Sequence, residues 1–173
     1  MNLQLASKAL LFAAIFVLTA SPASAADKAS AVLKDASGKE VGKAELTDTP
    51  SGVLIRLDLT GIPAGDHAFH VHAVGKCDAP DFQSAGPHFN PDETKHGLMN
   101  DQGPHAGDMP NLHVPESGKL VVEVLNGSVS LNAERALLDE DGSALVIHAK
   151  ADDYQTDPAG NAGDRIACGV VTP

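Results

Sequence analysis

The segment HAFHVH, residues 67–72, places three histidines within six residues of an otherwise aliphatic run. In a β-strand, residues i and i+2 point to the same face, so His70 and His72 project together, one pleat apart. Two imidazoles at this spacing can bind one metal ion. His67 falls on the opposite face, and we expect its ring to hydrogen-bond to the backbone instead.

More residues of metal-ligand type occur later in the chain. Those that could join a metal site are His88, His96, His105, Asp108 and His148. The first four lie in a segment without strand character, whereas His148 lies in the strand-like segment SALVIHA. An HxH pair alone is weak evidence for a metal site, and these additional residues strengthen it.

The residue types indicate which metals could bind. Three imidazoles and one carboxylate suit zinc in a closed tetrahedral site. The set of this type is His88, His96, His105 and Asp108. An all-imidazole set with an open face suits copper. The set of this type is His70, His72 and His148. His88 could belong to both sets if it lost a proton and used both ring nitrogens.

The elements that must position these residues have the pattern of short β-strands. Apolar residues alternate or run together over strand lengths, and helix-length amphipathic patterns are nearly absent. Turn-like segments rich in Gly, Pro and Asp separate them. The strand-like segments are SAVLK, VGKAELTD, VLIRLDL, HAFHVHAV, NLHV, KLVVEVL, SALVIHA and IACGVV. They predict an all-β fold, an eight-stranded antiparallel sandwich or barrel.

Two long segments interrupt this pattern. Residues 75–110 have no strand pattern and are longer than an unstructured connection in a compact domain usually is. Such loops are functional or disordered, and the histidines and Asp108 in this one favour function. The second irregular segment, ADDYQTDPAGNAGDR, ends at Arg165. The fold therefore has two long functional loops.

The amino-terminal segment predicts export. Residues 1–25 carry Lys8 as their only charge, an apolar run over 9–18 and the terminal triplet Ala23-Ser24-Ala25, as in a cleaved secretory signal. The apolar run is too short for a membrane span, which needs about 20 residues. We expect a single mature domain, residues 26–173, that is periplasmic or secreted and has no stable membrane anchor.

Charge and cysteine content narrow the class of protein further. The formal net charge is −11 at pH 7, which argues against nucleic acid as a partner. The two cysteines, Cys77 and Cys168, lie far apart in the chain. In an oxidising compartment they predict one disulfide that closes a long loop, and the alternative is two free thiols.

Six motifs, in this order, resemble those of the copper/zinc superoxide dismutase family: FHVH, AGPHFNP, KHG, HAGD, VIHAKADD and GNAGDRIACGV. The resemblance covers residues 30–171. It implies an eight-stranded Greek-key β-barrel that converts two superoxide ions and two protons to oxygen and hydrogen peroxide. It also implies one redox-cycling copper ion and one structural zinc ion per chain, with superoxide as the substrate.

The resemblance implies a role for each matching residue. The implied copper ligands are His70, His72, His88 and His148. The implied zinc ligands are His88, His96, His105 and Asp108. Asp152 matches a carboxylate that links a copper histidine to a zinc histidine, and Cys77 and Cys168 match the family's disulfide. The two implied catalytic residues are Arg165, beside the open copper face, and His88, which leaves copper and carries a proton.

The segment DDYQTDPAGNAGDR, residues 152–165, departs from the better-known cytosolic members, because it is short, acidic and without the lysines that steer substrate there. Candidate auxiliary charges near ligand-bearing segments are Lys76, Lys95 and Lys150. The disulfide loop before His88 is also longer, which leaves the mode of assembly open, with a homodimer as one option.

The alternative function is a non-catalytic copper- or zinc-binding member of the same fold. Members of that kind lack a ligand or the active-site arginine, whereas this sequence has every matching ligand and Arg165. The sequence therefore favours the enzyme.

Overall fold

The regular secondary structure of the described residues is almost entirely β-strand, as the sequence predicts. The computed structural model describes residues 27–173, and the predicted signal at residues 1–25 lies outside them. The strands of this part of the chain are β1 Lys28–Asp35, β2 Glu40–Thr49, β3 Gly52–Thr60, β4 Gly65–His67, β5 Phe69–His72, β6 Leu112–Val114, β7 Lys119–Asn126, β8 Ala144–His148 and β9 Arg165–Val170. One short 3₁₀ helix spans Gln83–Ala85.

The strands form two antiparallel sheets. Seven of them lie in the order β5-β8-β9-β1-β2-β3-β7, and β4 pairs with β6 in a separate two-stranded sheet. The first three strands form a meander, and β9 returns from the end of the chain to lie beside β1. This is a Greek-key arrangement, and it confirms the predicted fold class.

Alternation along the strands builds the hydrophobic core. In β3 the side chains of Val53, Ile55, Leu57 and Leu59 have 0% exposure, and the residues between them point outward. Period-2 alternation of this kind places one face of a strand against the core and the other in solvent. The curled sheet encloses these side chains. Its edge strand β5 carries His70 and His72, and the neighbouring strand β8 carries His148.

The segment HAFHVHAV, predicted as one strand, is two. Its first residues pair with β6, and from Phe69 onward it pairs with β8. The division falls at Ala68, whose N–H donates to the Lys150 carbonyl and whose carbonyl accepts from His148. The chain therefore passes from the small sheet into the large sheet at Ala68, a change of partner that alternation along one segment cannot show.

Three long connections join the strands. The long loop (residues 73–111) and the second loop (residues 149–164) correspond to the two predicted from sequence. The middle loop (residues 127–143) was predicted only as a turn. It contributes the buried side chains of Val129, Leu131 and Leu137 to the core, so it is held by packing and not by strand pairing.

The predicted disulfide is present and ties the long loop to the sheet. Cys77 and Cys168 are bonded across a sequence separation of 91 residues. Cys168 lies in β9 and pairs with Lys34 of β1 and Val146 of β8, so the bond anchors the long loop near the middle of the large sheet. No helix in the described part of the chain is long and apolar enough to span a membrane.

Reduction of this disulfide is expected to lower stability strongly. On the chain-entropy model, a loop of this length contributes about 4 to 5 kcal/mol. Thermal unfolding of the metal-free protein with and without reductant measures the effect. The Cys77→Ser/Cys168→Ser protein is the control, because its melting temperature should match that of the reduced protein and should not respond to reductant. Equal melting temperatures for oxidised and reduced protein would contradict the prediction.

Candidate metal centre

Strand β5 presents His70 and His72 in a fully buried environment, with 0% exposure for both. On one side β5 pairs with β8, which carries His148 at its end. On its other side the long loop supplies the backbone partners. Val71 N–H donates to the Gly107 carbonyl at 2.9 Å, and the Val71 carbonyl accepts from Phe89 N–H at 2.8 Å. Two loop segments are thereby fixed beside the strand.

A glycine is required where these segments meet. A Cβ atom at Gly107 would overlap the Val71 carbonyl oxygen and crowd the Phe89 backbone, so only glycine allows this close approach. The Gly107 N–H in turn donates to the Phe89 carbonyl at 2.8 Å. This contact places His105 and Asp108, which flank Gly107, next to His88, which precedes Phe89.

The structure brings four histidines together as the first set: His70, His72, His88 and His148. One ring nitrogen from each lies within 4.8 Å of the others. In the part of the chain that the structure describes, four buried side-chain atoms lack a hydrogen-bond partner: His70 Nδ1, His72 Nε2, His88 Nε2 and His148 Nε2. Buried polar atoms are nearly always paired, so four unpaired imidazole nitrogens that converge are a ready site for a metal cation.

In two of these rings, those of His72 and His148, the opposite nitrogen is held by the backbone. His72 Nδ1 donates to the Gly86 carbonyl at 2.9 Å, and His148 Nδ1 lies 3.3 Å from the Gly163 carbonyl. A carbonyl oxygen can only accept, so the Nδ1 atoms carry the protons and the Nε2 atoms keep free lone pairs. Such contacts fix the tautomer and ring orientation that a metal ligand needs.

The second set groups the other predicted ligands: His88, His96, His105 and Asp108. The Nδ1 atoms of the three histidines surround Asp108 Oδ1, at 2.9 Å for His88, 3.1 Å for His96 and 3.4 Å for His105. Ligands about 2.0 Å from a tetrahedral ion would be about 3.3 Å apart. These separations match such a site. His88 is common to both sets, with Nε2 in the first and Nδ1 in the second.

Asp108 is fixed by its other oxygen. Oδ2 accepts from Gly97 N–H at 2.9 Å and from His105 N–H at 3.0 Å. Burial raises the pKa of Asp108, but hydrogen bonds from His105, His88, His96 and Gly97 outweigh it and hold that pKa far below its usual range. The carboxylate is therefore ionised, as a metal ligand must be.

Asp152 connects the two sets through ring nitrogens that point away from them. Its Oδ2 accepts from His70 Nε2 at 2.7 Å, and its Oδ1 accepts from His96 Nε2 at 3.0 Å. Burial raises the pKa of Asp152, but these two bonds outweigh it and lower the pKa below its usual range. The ionised carboxylate leaves His70 Nδ1 and His96 Nδ1 facing inward, toward the first and the second set respectively.

The electrostatic environment differs between the rings. Burial lowers the pKa of His88 to about 4 and that of His148 to about 3, and the neighbouring histidines contribute in the same direction. These rings are therefore neutral near pH 7, the form that binds metals. Burial also lowers the pKa of His96, but Asp108 and Asp152 outweigh it and raise the value to about 9.

A cleft of about 1030 Å³ opens onto the first set. His72, His88, His148 and Arg165 line it. Arg165 is held by two carbonyls, because one of its terminal nitrogens donates to Phe82 O at 2.7 Å and the other to Gly86 O at 2.8 Å. The predicted arginine therefore lies beside the exposed side of the first set.

The charges that line this cleft were only partly predicted. Three aspartates contribute to its wall: Asp35, Asp81 and Asp164. Among the described residues that line it, Arg165 is the only lysine or arginine. Lys76, Lys95 and Lys150 are not part of the lining, and Lys95 instead pairs with Asp157 at 3.1 Å. Arg165 is therefore the candidate with a direct place in the cleft wall, and these lysines are not.

The remaining histidines, His67 and His113, lie outside both sets, as predicted for His67. His67 contacts two backbone carbonyls, that of His148 at 2.8 Å and that of Pro63 at 3.0 Å. The side chain of His113 is 79% exposed and lies 2.7 Å from Asp66. The i, i+2 spacing in HAFHVH separated His67 correctly from His70 and His72.

The fold and the site together define an antiparallel β protein with two groups of residues that could each hold a metal ion and that have His88 in common. Residues 40–171 match the family model of copper/zinc superoxide dismutase (SODC), and the chain belongs to that family. It is an oxidoreductase that converts superoxide to oxygen and hydrogen peroxide and uses copper and zinc.

Relatives from several bacteria support this assignment. Superoxide dismutase [Cu-Zn] 1 of Aquifex aeolicus is 54% identical over 83% of this chain and 87% of its own length. The crystal structure of a SOD-like protein from Bacillus subtilis is 42% identical, with a TM-score of 0.79 over 82% of this chain and 96% of its own. The Cu/Zn superoxide dismutase from Brucella abortus is 29% identical, with a TM-score of 0.69 over 83% of this chain and 98% of its own.

Gly160 tests the importance of the Asp152 link. It has a φ of +62°, and a Cβ atom there would overlap Asp152 Oδ1 and crowd His96 Nε2. Gly160→Ala should therefore push Asp152 away from His96 and lower the zinc affinity by about 10- to 100-fold, as loss of such partners does. Chelator competition on the metal-free protein measures this affinity.

Gly163→Ala is the matched control for that variant. Gly163 lies in the same loop at a similar φ of +73°, but a Cβ atom there would make only ordinary contacts with the Lys150 side chain. Both variants incur the backbone cost of roughly 1–2 kcal/mol for a left-handed alanine. Equal zinc affinities for the two variants would show that the space around Asp152 does not matter.

Proposed function

We propose that this chain performs superoxide disproportionation with copper in the first set and zinc in the second. The proposed copper ligands are His70, His72, His88 and His148. The proposed zinc ligands are His88, His96, His105 and Asp108. The assignment rests on the four unpaired ring nitrogens of the first set. The first set contains no carboxylate, whereas the second set is built around Asp108.

The chemistry of the donors separates the two metals. Bound copper would supply one-electron transfer to and from superoxide, and bound zinc would supply a fixed positive charge without redox chemistry. Three imidazoles with one carboxylate suit zinc, whereas an all-imidazole set that faces a cleft suits a redox metal with an open position.

His88 is proposed to move one of the two protons that the reaction consumes. Its Nδ1 is directed toward the second set and its Nε2 toward the first, and the ring also lines the cleft. A ring held at Nδ1 can accept a proton at Nε2 and donate it to the departing peroxide. The ring lies within the site, so the proton needs no long path from solvent.

Arg165 is proposed to bind the anionic substrate. Two of its N–H groups are used on the Phe82 and Gly86 carbonyls, which orient the guanidinium and leave its other N–H groups for an anion. Gly86 O also accepts from His72 Nδ1. One carbonyl thus sets the position of Arg165 relative to the first set.

The alternative, a non-catalytic metal-binding member of the fold, finds less support. Both sets are complete, and Arg165 lines the same cleft as His72, His88 and His148. A protein that only stored metal would have no use for a guanidinium beside an open coordination side.

Export to the periplasm or medium is part of the proposal. The signal-like residues 1–25 and the disulfide support it, because disulfides persist in oxidising compartments. Intact mass of the exported protein would identify its first residue, which we expect to be Ala26. A homodimer stays a prediction that sedimentation analysis would test.

Two substitutions should separate the metals. His148→Ala removes a ligand of the first set alone and should abolish copper binding and turnover while zinc stays bound. Asp108→Ala removes the carboxylate of the second set and should lose zinc first, with a lower melting temperature. Elemental analysis and superoxide consumption are measured on each protein, with His113→Ala as the surface-histidine control. Full activity of His148→Ala would refute the copper assignment.

Substitutions at Arg165 should change the rate through local charge. At short range in a partly desolvated site, one charge interacts by several kcal/mol. Arg165→Ala should therefore lower the second-order rate constant on the order of tenfold, and Arg165→Glu at least tenfold further. Pulse radiolysis measures the rates, with metal content checked in each protein.

Arg56→Glu is the matched control for charge. Arg56 is exposed on β3 and pairs with Glu123, away from the residues that line the cleft, yet its substitution changes the net charge equally. If Arg56→Glu slowed the reaction as much as Arg165→Glu, overall charge and not the Arg165 position would control the rate.

A further inference from the structure

Tyr154, the single tyrosine of the chain, connects three segments around the metal centre. Its N–H donates to Asp152 Oδ1 at 2.6 Å, and its phenol oxygen accepts from Asn111 N–H at 2.7 Å. Its carbonyl accepts from Met99 N–H at 3.0 Å. The second loop is thus joined through one residue to two parts of the long loop, at Met99 and at Asn111, just before β6.

Asn111 holds the backbone of Asp152 from the other side. Its side-chain amide donates to the Asp152 carbonyl at 2.9 Å, and its Oδ1 accepts from Asp152 N–H at 2.8 Å. Both hydrogen-bonding groups of the Asp152 peptide are therefore bound to one side chain. Together with the Tyr154 contacts, these bonds close a ring through Asp152, Tyr154 and Asn111.

The carboxylate of Asp152 can contact both sets only in a narrow range of positions. It must meet His70 with one oxygen and His96 with the other, and these two rings are nearly perpendicular, at 88°, with centroids 5.6 Å apart. Functional groups of this kind must be held within about 0.5 Å of their productive position. An aspartate on a loop without strand pairing cannot reach that accuracy unless other groups fix its backbone.

We infer that Tyr154 and Asn111 are positioning residues that hold Asp152 in place between the two histidine sets. Neither residue belongs to a ligand set, and both act through Asp152. Because Asp152 contacts one histidine of each set, a shift in Tyr154 or Asn111 changes the orientation of His70 and His96 together. This inference rests on the ligand sets proposed above.

A double-mutant cycle on zinc affinity tests the inference. The single variants are Tyr154→Phe, Asn111→Ala and Asp152→Ala, of which Tyr154→Phe removes only the hydroxyl. The double variants combine Asp152→Ala with Tyr154→Phe and with Asn111→Ala. Zinc affinity of the metal-free, disulfide-bonded protein is measured by chelator competition. Tyr154→Phe and Asn111→Ala should each weaken zinc binding about tenfold, the lower end of the range for residues that support metal ligands.

The double variants decide whether Tyr154 and Asn111 position Asp152 or only stabilise the loop. If Tyr154 and Asn111 act through Asp152, they should cause no further loss of affinity in the Asp152→Ala background. Thr156→Val is the matched control, because it also removes a hydroxyl from the second loop. The Thr156 hydroxyl donates to Asp153 and not to Asp152. The visible absorption spectrum of the copper-loaded protein is a second readout, and it should change in the two singles but not in the control.

Several results would overturn the inference. Losses that add in the double variants, or an equal loss in Thr156→Val, would mean that Tyr154 and Asn111 merely stabilise the loop. Unchanged affinity in both singles, with a loss in Asp152→Ala, would remove their role and leave the Asp152 link intact. Unchanged affinity in Asp152→Ala itself would refute that link, and the inference with it.

Discussion

Four ring nitrogens that are buried without partners are the constraint on which the metal centre depends. A buried polar atom without a hydrogen bond costs free energy, and four at one point would be a serious defect in an ordinary core. Here the surrounding residues keep them unpaired, because each ring except His88 uses its other nitrogen on a carbonyl or on Asp152. Metal binding removes this cost, so cofactor affinity and folding stability depend on the same atoms.

The way the backbone is held explains how the chain maintains this arrangement. Strand β5 is paired with β8 on one side and with pieces of the long loop on the other, so the loop behaves locally as part of the sheet. The disulfide at Cys168 and the contacts of Arg165 with two carbonyls attach the same loop to β9. The ligand residues, the arginine and the cleft are therefore positioned by one connected set of backbone bonds.

Much of this organisation could be predicted from the sequence, because it depends on local periodicity and residue type. Alternation gave the strands, and the i, i+2 rule separated His67 from His70 and His72. The division at Ala68 and the packing of the middle loop could not be predicted, because they depend on partners distant in sequence. The same holds for Tyr154 and Asn111. Their types carry no metal chemistry, and only the folded chain places them around Asp152.

The two sets differ in how they are supported. His70, His72 and His148 lie on paired strands, whereas His96, His105 and Asp108 all belong to the long loop. Loops accept insertions and deletions over evolutionary time far more readily than strands do. A change in the length of residues 73–111 would thus alter the second set first and leave three ligands of the first set in place. In a lineage that drifts in this way, the metal selectivity of the second set should diverge before the geometry of the first set does.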